Sequence, residues 1–125
     1  MERFHYGSYD ELEAKAVELG LHFPHSDNTK EVFAKKVKIP NSNIETANSL
    51  AIHPMEGFDG ELNGAPSDLT WRRYKRFASG GAGLFWFEAT AVCPESRSSK
   101  RQLYINDETV DDYKRLAEKM HELSG

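Results

Sequence analysis

A chain of 125 residues that is 38% apolar and 29% charged is long enough for one globular domain with an ordinary core. Its apolar runs are far shorter than the ~20 residues of a membrane helix, and the N-terminus lacks the apolar segment of a secretory signal, so we expect a cytoplasmic protein with no membrane partner. The net charge of −4 argues against general nucleic-acid binding, and the single cysteine, Cys93, excludes an internal disulfide and a thiolate zinc cluster.

The first predicted element is a short amphipathic helix. Ser8 and Glu11 have the spacing of a capping box, with Ser8 as the N-cap residue and Glu11 reaching back. Helix-forming residues continue to Leu19, and Gly20 supplies a stop signal. We interpret this helix as structural.

Two histidines after this helix have the spacing of possible metal ligands. His22 and His25 are three residues apart, but no further histidine, cysteine or carboxylate cluster joins them. We therefore predict surface histidines and no metal site. Residues 1–30 are interpreted as an N-terminal extension made of one helix and a loop.

A small hairpin is predicted next. Val32–Ala34 and Val37–Ile39 have the composition of short extended segments. The polar turn Asn41–Asn43 follows Pro40, and Ile44–Thr46 is a further extended segment that can pair back across the turn.

Two apolar runs that end abruptly in polar residues predict two buried parallel strands. Leu50–Ile52 leads into His53–Glu56 and a loop rich in glycine and aspartate, and Leu84–Phe87 leads into Glu88. Ligands of α/β proteins bind at the carboxyl ends of such strands, so we expect the function to lie there.

A helix from Leu69 to Ser79, capped by Ser67 or Asp68, is predicted between the two strands. Its apolar side is expected to carry Leu69, Tyr74, Phe77 and Ala78, and its solvated side Arg72, Arg73, Lys75 and Arg76. These cations could form a nucleic-acid patch, but no second basic cluster extends it, so a solvated face is favoured. The glycines at 80–83 close a helix and precede a strand, the reverse of a phosphate loop, and are predicted to form a helix cap and turn.

A long loop and a last helix complete the chain. A loop of the length of Ala89 to Asp107 is usually functional or covers a site, and Cys93 within it is interpreted as an unremarkable thiol. Asp107 or Thr109 is expected to cap the last helix. The buried stripe of that helix is predicted to be Val110, Tyr113, Leu116, Ala117 and Met120.

The order of elements predicts an α/β fold with about two β/α units after an N-terminal helix and hairpin. Two buried parallel strands cannot form a stable sheet alone, because their faces and edges need partners. We therefore expect either part of a larger β/α barrel or sheet, or a protein that must associate, for example as a homo-oligomer.

Several of these segments are similar to one known family. Asn48–Met55 looks like the first barrel strand of the old yellow enzyme family of FMN-dependent NAD(P)H:flavin oxidoreductases, and Gly80–Val92 looks like its second strand and following loop. Pro94–Arg97 and Asn106–Glu108 continue the resemblance, which covers residues 33–123. The N-terminal helix is less typical of the family.

The resemblance implies a (β/α)8 TIM barrel, of which residues 31–125 would be the first, incomplete part of the FMN-binding domain. It implies an enzyme in which NAD(P)H reduces FMN and hydride then passes to an activated alkene or another small-molecule acceptor. The rest of the barrel would be supplied by further chain or by another chain. The alternative is a non-catalytic half-barrel module that folds by self-association or with a complementary chain.

The resemblance also implies site residues. Flavin contacts are expected from His53, Pro54, Met55, Glu56 and Ala89, and a place in the substrate pocket is expected for Phe58. The catalytic residues of the family would lie beyond residue 125, so none is assigned and the chain alone is expected to be inactive.

Three charged residues near these positions have alternative interpretations. Glu56 stands where most members carry Thr or Cys, and it either tunes the flavin potential or points away and binds a neighbouring loop. Glu88 is expected to have a cross-barrel ion pair or a backbone bond rather than a catalytic role, because a buried carboxylate needs a partner. Arg97 either closes the loop over the flavin or is only solvated.

Overall fold

The computed structural model describes residues 4–124, which fall into two compact units, one reaching Val32 and one beginning at Phe33. In the first unit the predicted helix is present as α1, Tyr9–Glu18. The Ser8 hydroxyl accepts a hydrogen bond from the Glu11 N–H at 3.3 Å, while the Glu11 carboxylate accepts one from the N–H of Gly7 at 2.9 Å. The predicted cap is therefore confirmed, with the reciprocal bond one residue earlier than expected.

Both histidines after α1 are exposed, as predicted. The ring of His25 stacks on Tyr9, at 3.8 Å between centroids, and the Tyr9 hydroxyl donates to the carbonyl of Phe23. Among residues 4–124 no group of three or more His, Cys, Asp and Glu side chains is placed to hold a metal ion.

The extended segment predicted at Val32–Ala34 is wrong, because these residues end a short helix, α2, Thr29–Ala34. The Asn28 side-chain oxygen accepts from the N–H of Glu31 at 3.1 Å, and the Asn28 amide donates back to the Glu31 carboxylate at 2.8 Å. This pair satisfies a backbone N–H of the first helical turn that would otherwise lack a partner. It favours the helix, although Val32 and Phe33 are residue types that prefer strands.

The predicted hairpin is confirmed. Antiparallel bonds join the N–H of Ile39 to the carbonyl of Ile44 and the N–H of Thr46 to the carbonyl of Val37, each at 2.9 Å. Asn41 adopts a positive φ of 57° in the turn, which asparagine tolerates better than most residues.

The two predicted strands form a parallel pair, β1, Ala51–Ile52, and β2, Leu84–Phe85, with Ala51 beside Leu84 and Ile52 beside Phe85. Trp86 still donates its N–H to the carbonyl of Ile52 at 3.1 Å. In this parallel register the next donor of β1 would be residue 54, and Pro54 has no N–H. The pairing therefore stops at the point where the polar loop begins.

Full burial of the two strands was the wrong expectation for this chain, because Leu50 and Ala51 of the first strand segment are exposed. Phe85 packs against the helices, but Trp86 is 66% exposed. The described part of the chain contains two paired strands, with helices on one face, so the other face of the sheet is open.

The core lies between α3, Asp68–Ser79, and α4, Val110–Ser124. Tyr74 and Ala78 of α3 meet Leu116 and Met120 of α4 there. Leu69, Val110 and Ala117, which were predicted to be buried, are exposed instead. The buried face of α3 consists of Thr70, Tyr74 and Ala78. At the first turn the buried residue is therefore Thr70 and not its neighbour Leu69.

The caps and turns around α3 match the prediction. Ser67 is the N-cap and accepts from the N–H groups of Leu69 and Thr70, and Gly80 is the C-cap. Gly81 follows with a φ of 78°, which glycine adopts without strain.

The predicted long loop after β2 is present and contains local structure of its own. It contains a 3₁₀ turn, Pro94–Ser96, and the N–H of Ala91 donates to the carbonyl of the fully buried Leu103 at 2.9 Å. Thr109 precedes α4, and its hydroxyl bonds the N–H of Asn106 and the carbonyl of Tyr104. The described residues thus have an α/β fold with two strand–helix units, and none of their helices is long and apolar enough to cross a membrane.

Candidate functional site

The candidate site lies at the carboxyl ends of β1 and β2. His53, Pro54 and Met55 follow β1 and are exposed, Met55 to 75%. Ala89, which follows β2 after the buried Glu88, is exposed as well. The N–H of Gly57 donates to the Glu88 carboxylate at 2.8 Å, and this bond joins the two strand ends.

The backbone after β1 is open to a ligand. Within residues 4–124 the main chain of His53, Pro54 and Met55 makes no hydrogen bond. The carbonyl of Ala89 accepts a long bond, 3.3 Å, from the Gln102 side chain. Exposed donors and acceptors beside an apolar side chain can bind a flat, polar-edged molecule through backbone groups.

Arg73 lies behind this surface and carries the strongest polar contacts of the site. Its Nη2 donates to Glu88 Oε1 at 2.6 Å and to Asp59 Oδ1 at 2.8 Å, and its Nε donates to Asp59 Oδ2 at 3.1 Å. The Glu88 side chain is only 1% exposed. The predicted backbone bond of Glu88, from the N–H of Gly57, is confirmed. Glu88 also has an ion pair, but with Arg73 of α3 and not across a barrel as expected.

Electrostatics of this network favour the charged forms of Arg73 and Asp59. Burial alone would lower the pKa of Arg73, but its bonds to Asp59 and Glu88 raise that pKa above the ordinary value. Tyr74, whose hydroxyl accepts from the N–H of Glu88 at 3.0 Å, is held neutral because burial raises its pKa to about 12.

The pKa of Asp59 predicts a loss of stability in acid. Burial would raise this pKa, but the bonds from Arg73 and Thr70 outweigh burial and lower it below the ordinary value. A depressed folded pKa stabilises the fold above the unfolded value of about 3.9 and loses that contribution as the pH falls through the folded pKa. We expect the free energy of unfolding, measured by urea titration, to fall below about pH 4.

Asp59→Asn should remove part of this acid sensitivity, because the asparagine does not titrate. Asp107→Asn, at an exposed position, is the matched control and should keep the wild-type slope. Equal slopes for wild type and Asp59→Asn would contradict the assignment.

Glu56 and Arg97 are the two further charged side chains for which the sequence analysis left two roles open. The Glu56 carboxylate accepts from the Ser98 hydroxyl at 2.9 Å, which matches the alternative in which it binds a neighbouring loop. Arg97 is half-buried and donates to the carbonyls of Leu62 at 2.8 Å and Gln102 at 2.7 Å. Arg97 therefore ties two loops together through backbone oxygens, so the alternative of a merely solvated side chain was wrong. Closure of this loop over a flavin stays a prediction.

Phe58 lies in the turn between the strand end and α3. Its φ of 49° is in the left-handed region, and its side chain is 51% exposed. The family resemblance implied a pocket role for Phe58, which stays a prediction. The helical pattern placed Arg73 on a solvated face, and Asp59 received no role. The available signal was Glu88, a buried carboxylate in need of a cation, with four cations on the preceding helix as candidates.

Comparison with known proteins gives a structural match and no match by sequence. No family model matches this chain, and no curated protein matches it. Old Yellow Enzyme from Pichia sp. AKU4542 is a similar solved structure, with a TM-score of 0.66 at 23% identity. The match covers 75% of this chain and 24% of that one, so the chain spans about a quarter of its structural relative. At this identity the likeness supports an old-yellow-enzyme-like α/β fold.

Proposed function

We propose that this chain is the FMN-binding N-terminal part of an oxidoreductase of the old yellow enzyme type, built on a (β/α)8 barrel. One observation carries the proposal. The residues with the family's strand-end pattern, His53–Met55 and Ala89, are exposed at the carboxyl ends of two adjacent parallel strands. The structural match to Old Yellow Enzyme supports the same fold.

The residues at the site fit a flavin. The backbone of His53, Pro54 and Met55 offers unused polar groups, and the Met55 side chain offers a soft apolar surface. Pro54 ends the strand pairing and so keeps these groups out of the sheet. The isoalloxazine would be held by backbone groups of His53, Pro54, Met55 and Glu56 and by Ala89. Phe58 would line the substrate pocket.

FMN, when bound, supplies the hydride chemistry that links NAD(P)H to an activated alkene or another acceptor. The chain would position the flavin and surround it with charged groups that are held in place. Glu88 and Arg73 hold the two strand ends together, and the Ser98 hydroxyl holds Glu56. Turnover needs several strand ends at once, so the rest of the barrel is the proposed partner and the chain alone should not oxidise NAD(P)H.

Titration of the chain with FMN, followed by flavin fluorescence and visible absorption, tests the proposal. We expect saturable quenching, because the strand ends offer backbone donors and acceptors that the fold leaves open. Met55→Asp should weaken binding about tenfold, or ~1.4 kcal/mol, since a carboxylate would replace the apolar surface beside the flavin.

Leu69→Asp is the matched control, because Leu69 is also exposed and lies on α3, where an aspartate suits the first turn. It should bind FMN as wild type does. No quenching by the wild-type chain, or equal losses in both variants, would overturn the proposal for this site. Oxidation of NAD(P)H by the chain with added FMN would contradict the expectation that the chain alone is inactive.

A non-catalytic half-barrel module is the second candidate function. The observation in its favour is the open sheet face, where Trp86 is 66% exposed and a short parallel pair has no strand beyond it in the described residues. Sedimentation of the same samples distinguishes the two. A stable oligomer that does not bind FMN would favour the module, and FMN binding by the monomer would favour the flavoprotein.

A further inference from the structure

Phe58 adopts a backbone conformation that the residue itself disfavours. Its φ of 49° is left-handed, a region that large side chains rarely occupy. The side chain is half exposed, so core packing does not explain the conformation. Strain of this kind persists only where the surroundings impose it.

The residues on both sides of Phe58 are fixed by one guanidinium and its partners. The N–H of Gly57 donates to Glu88, which in turn accepts from Arg73. The Asp59 carboxylate accepts two bonds from Arg73 and one, at 2.8 Å, from the Thr70 hydroxyl. Its backbone carbonyl also accepts from the hydroxyls of Ser67 and Thr70. The chain is therefore tied to α3 and to the end of β2 immediately before and immediately after Phe58.

Gly57 allows this arrangement because it has no side chain. A Cβ added there would lie 2.2 Å from Nη2 of Arg73, so the guanidinium packs directly on the Gly57 backbone. The turn thus passes around Arg73 with no space to relax inward. The direction left to the Phe58 side chain is outward.

We propose that Arg73 is a positioning residue that imposes the left-handed backbone of Phe58 and so presents its ring at the carboxyl end of the strands. The functional consequence of placing the Phe58 ring there rests on the proposed function, in which Phe58 lines the substrate pocket of the flavin site. The geometry itself does not depend on FMN. An ion pair that only stabilised the fold would leave the backbone preference at residue 58 unchanged.

The first test compares glycine with alanine at residue 58, because both remove the ring and differ mainly in their tolerance of positive φ. In the wild-type background Phe58→Gly should be more stable than Phe58→Ala, with an unfolding constant at least about threefold lower. In the Arg73→Lys background the turn relaxes, and the order should reverse, since glycine then costs more chain entropy. Urea unfolding followed by tryptophan fluorescence measures all four variants.

Lysine is chosen at 73 because it keeps a cation for Glu88 but cannot bond both carboxylates in the same geometry. Arg72→Lys is the control on the same helix, at an exposed position, and should leave the glycine preference intact. If the Arg73→Lys chain does not fold, Asp59→Asn replaces it, since it keeps the Arg73–Glu88 pair and weakens the other side of the turn. The same reversal is expected there.

The second test observes the backbone directly. A strong amide-to-Hα NOE within Phe58, the NMR signature of positive φ, is expected in wild type and Arg72→Lys and should weaken in Arg73→Lys, or in Asp59→Asn where that variant replaces it. An unchanged NOE, or the same glycine-over-alanine order in both backgrounds, would overturn the positioning role. Neither readout uses FMN, so failure of the FMN titration would remove the proposed function without affecting this result.

Discussion

Arg73→Gln is expected to lower the free energy of unfolding by about 3–5 kcal/mol, the usual cost of removing one partner of a buried ion pair. Arg73 Nη2 lies 2.6 Å from a Glu88 carboxylate that is almost inaccessible to water. Glutamine would leave that buried carboxylate without its cation and would also release Asp59. For a domain whose total stability is about 5–15 kcal/mol, this loss is a large fraction of the free energy of unfolding.

Two comparison variants make the Arg73 result specific. Arg72→Gln changes the neighbouring, exposed arginine and should stay within about 0.5 kcal/mol of wild type. Adding Glu88→Gln to Arg73→Gln should recover part of the loss, because the buried charge is then removed together with its partner. Urea unfolding monitored by tryptophan fluorescence measures each variant, and an Arg73→Gln cost no larger than that of Arg72→Gln would contradict the buried-pair interpretation.

Local signals explain why much of this fold could be predicted. Ser8, Ser67 and Gly80 act at helix ends through bonds to residues within a few positions, so the spacing in the sequence is itself the evidence. The two strands were recognisable for a similar reason. Each is an apolar run that stops at polar residues, and the parallel pairing follows from the helix between them.

The candidate site was less predictable because its contacts are distant in sequence. Arg73 pairs with Asp59 and Glu88, which lie 14 and 15 residues away, whereas a charge on a helix indicates only that the position is polar. The predicted stripe of α3 failed at Leu69 for a related reason. Helical periodicity gives a face about 100° wide, and which edge of that face is buried depends on the loop holding Asp59.

Leu116→Ala should be the most costly truncation in the apolar core. We expect it to lower the free energy of unfolding by about 3 kcal/mol, which is within the usual range for buried leucines. Leu116 is 1% exposed on α4 and packs in one cluster with Tyr74 and Ala78 of α3, where Phe85 of β2 also packs. The loss therefore acts on the contact that holds both strand–helix units together, and hydrogen exchange of α3 should accelerate with the fall in stability.

The size of the Leu116 effect separates packing from helix propensity. Alanine is the better helix former, so any intrinsic effect would stabilise α4 and oppose the expected loss. Val110→Ala removes an apolar side chain at the exposed start of the same helix and should cost less than about 1 kcal/mol. Similar costs for the two variants would mean that this cluster does not hold α3 and α4 together. The contacts around Arg73 would then be what joins the two strand–helix units.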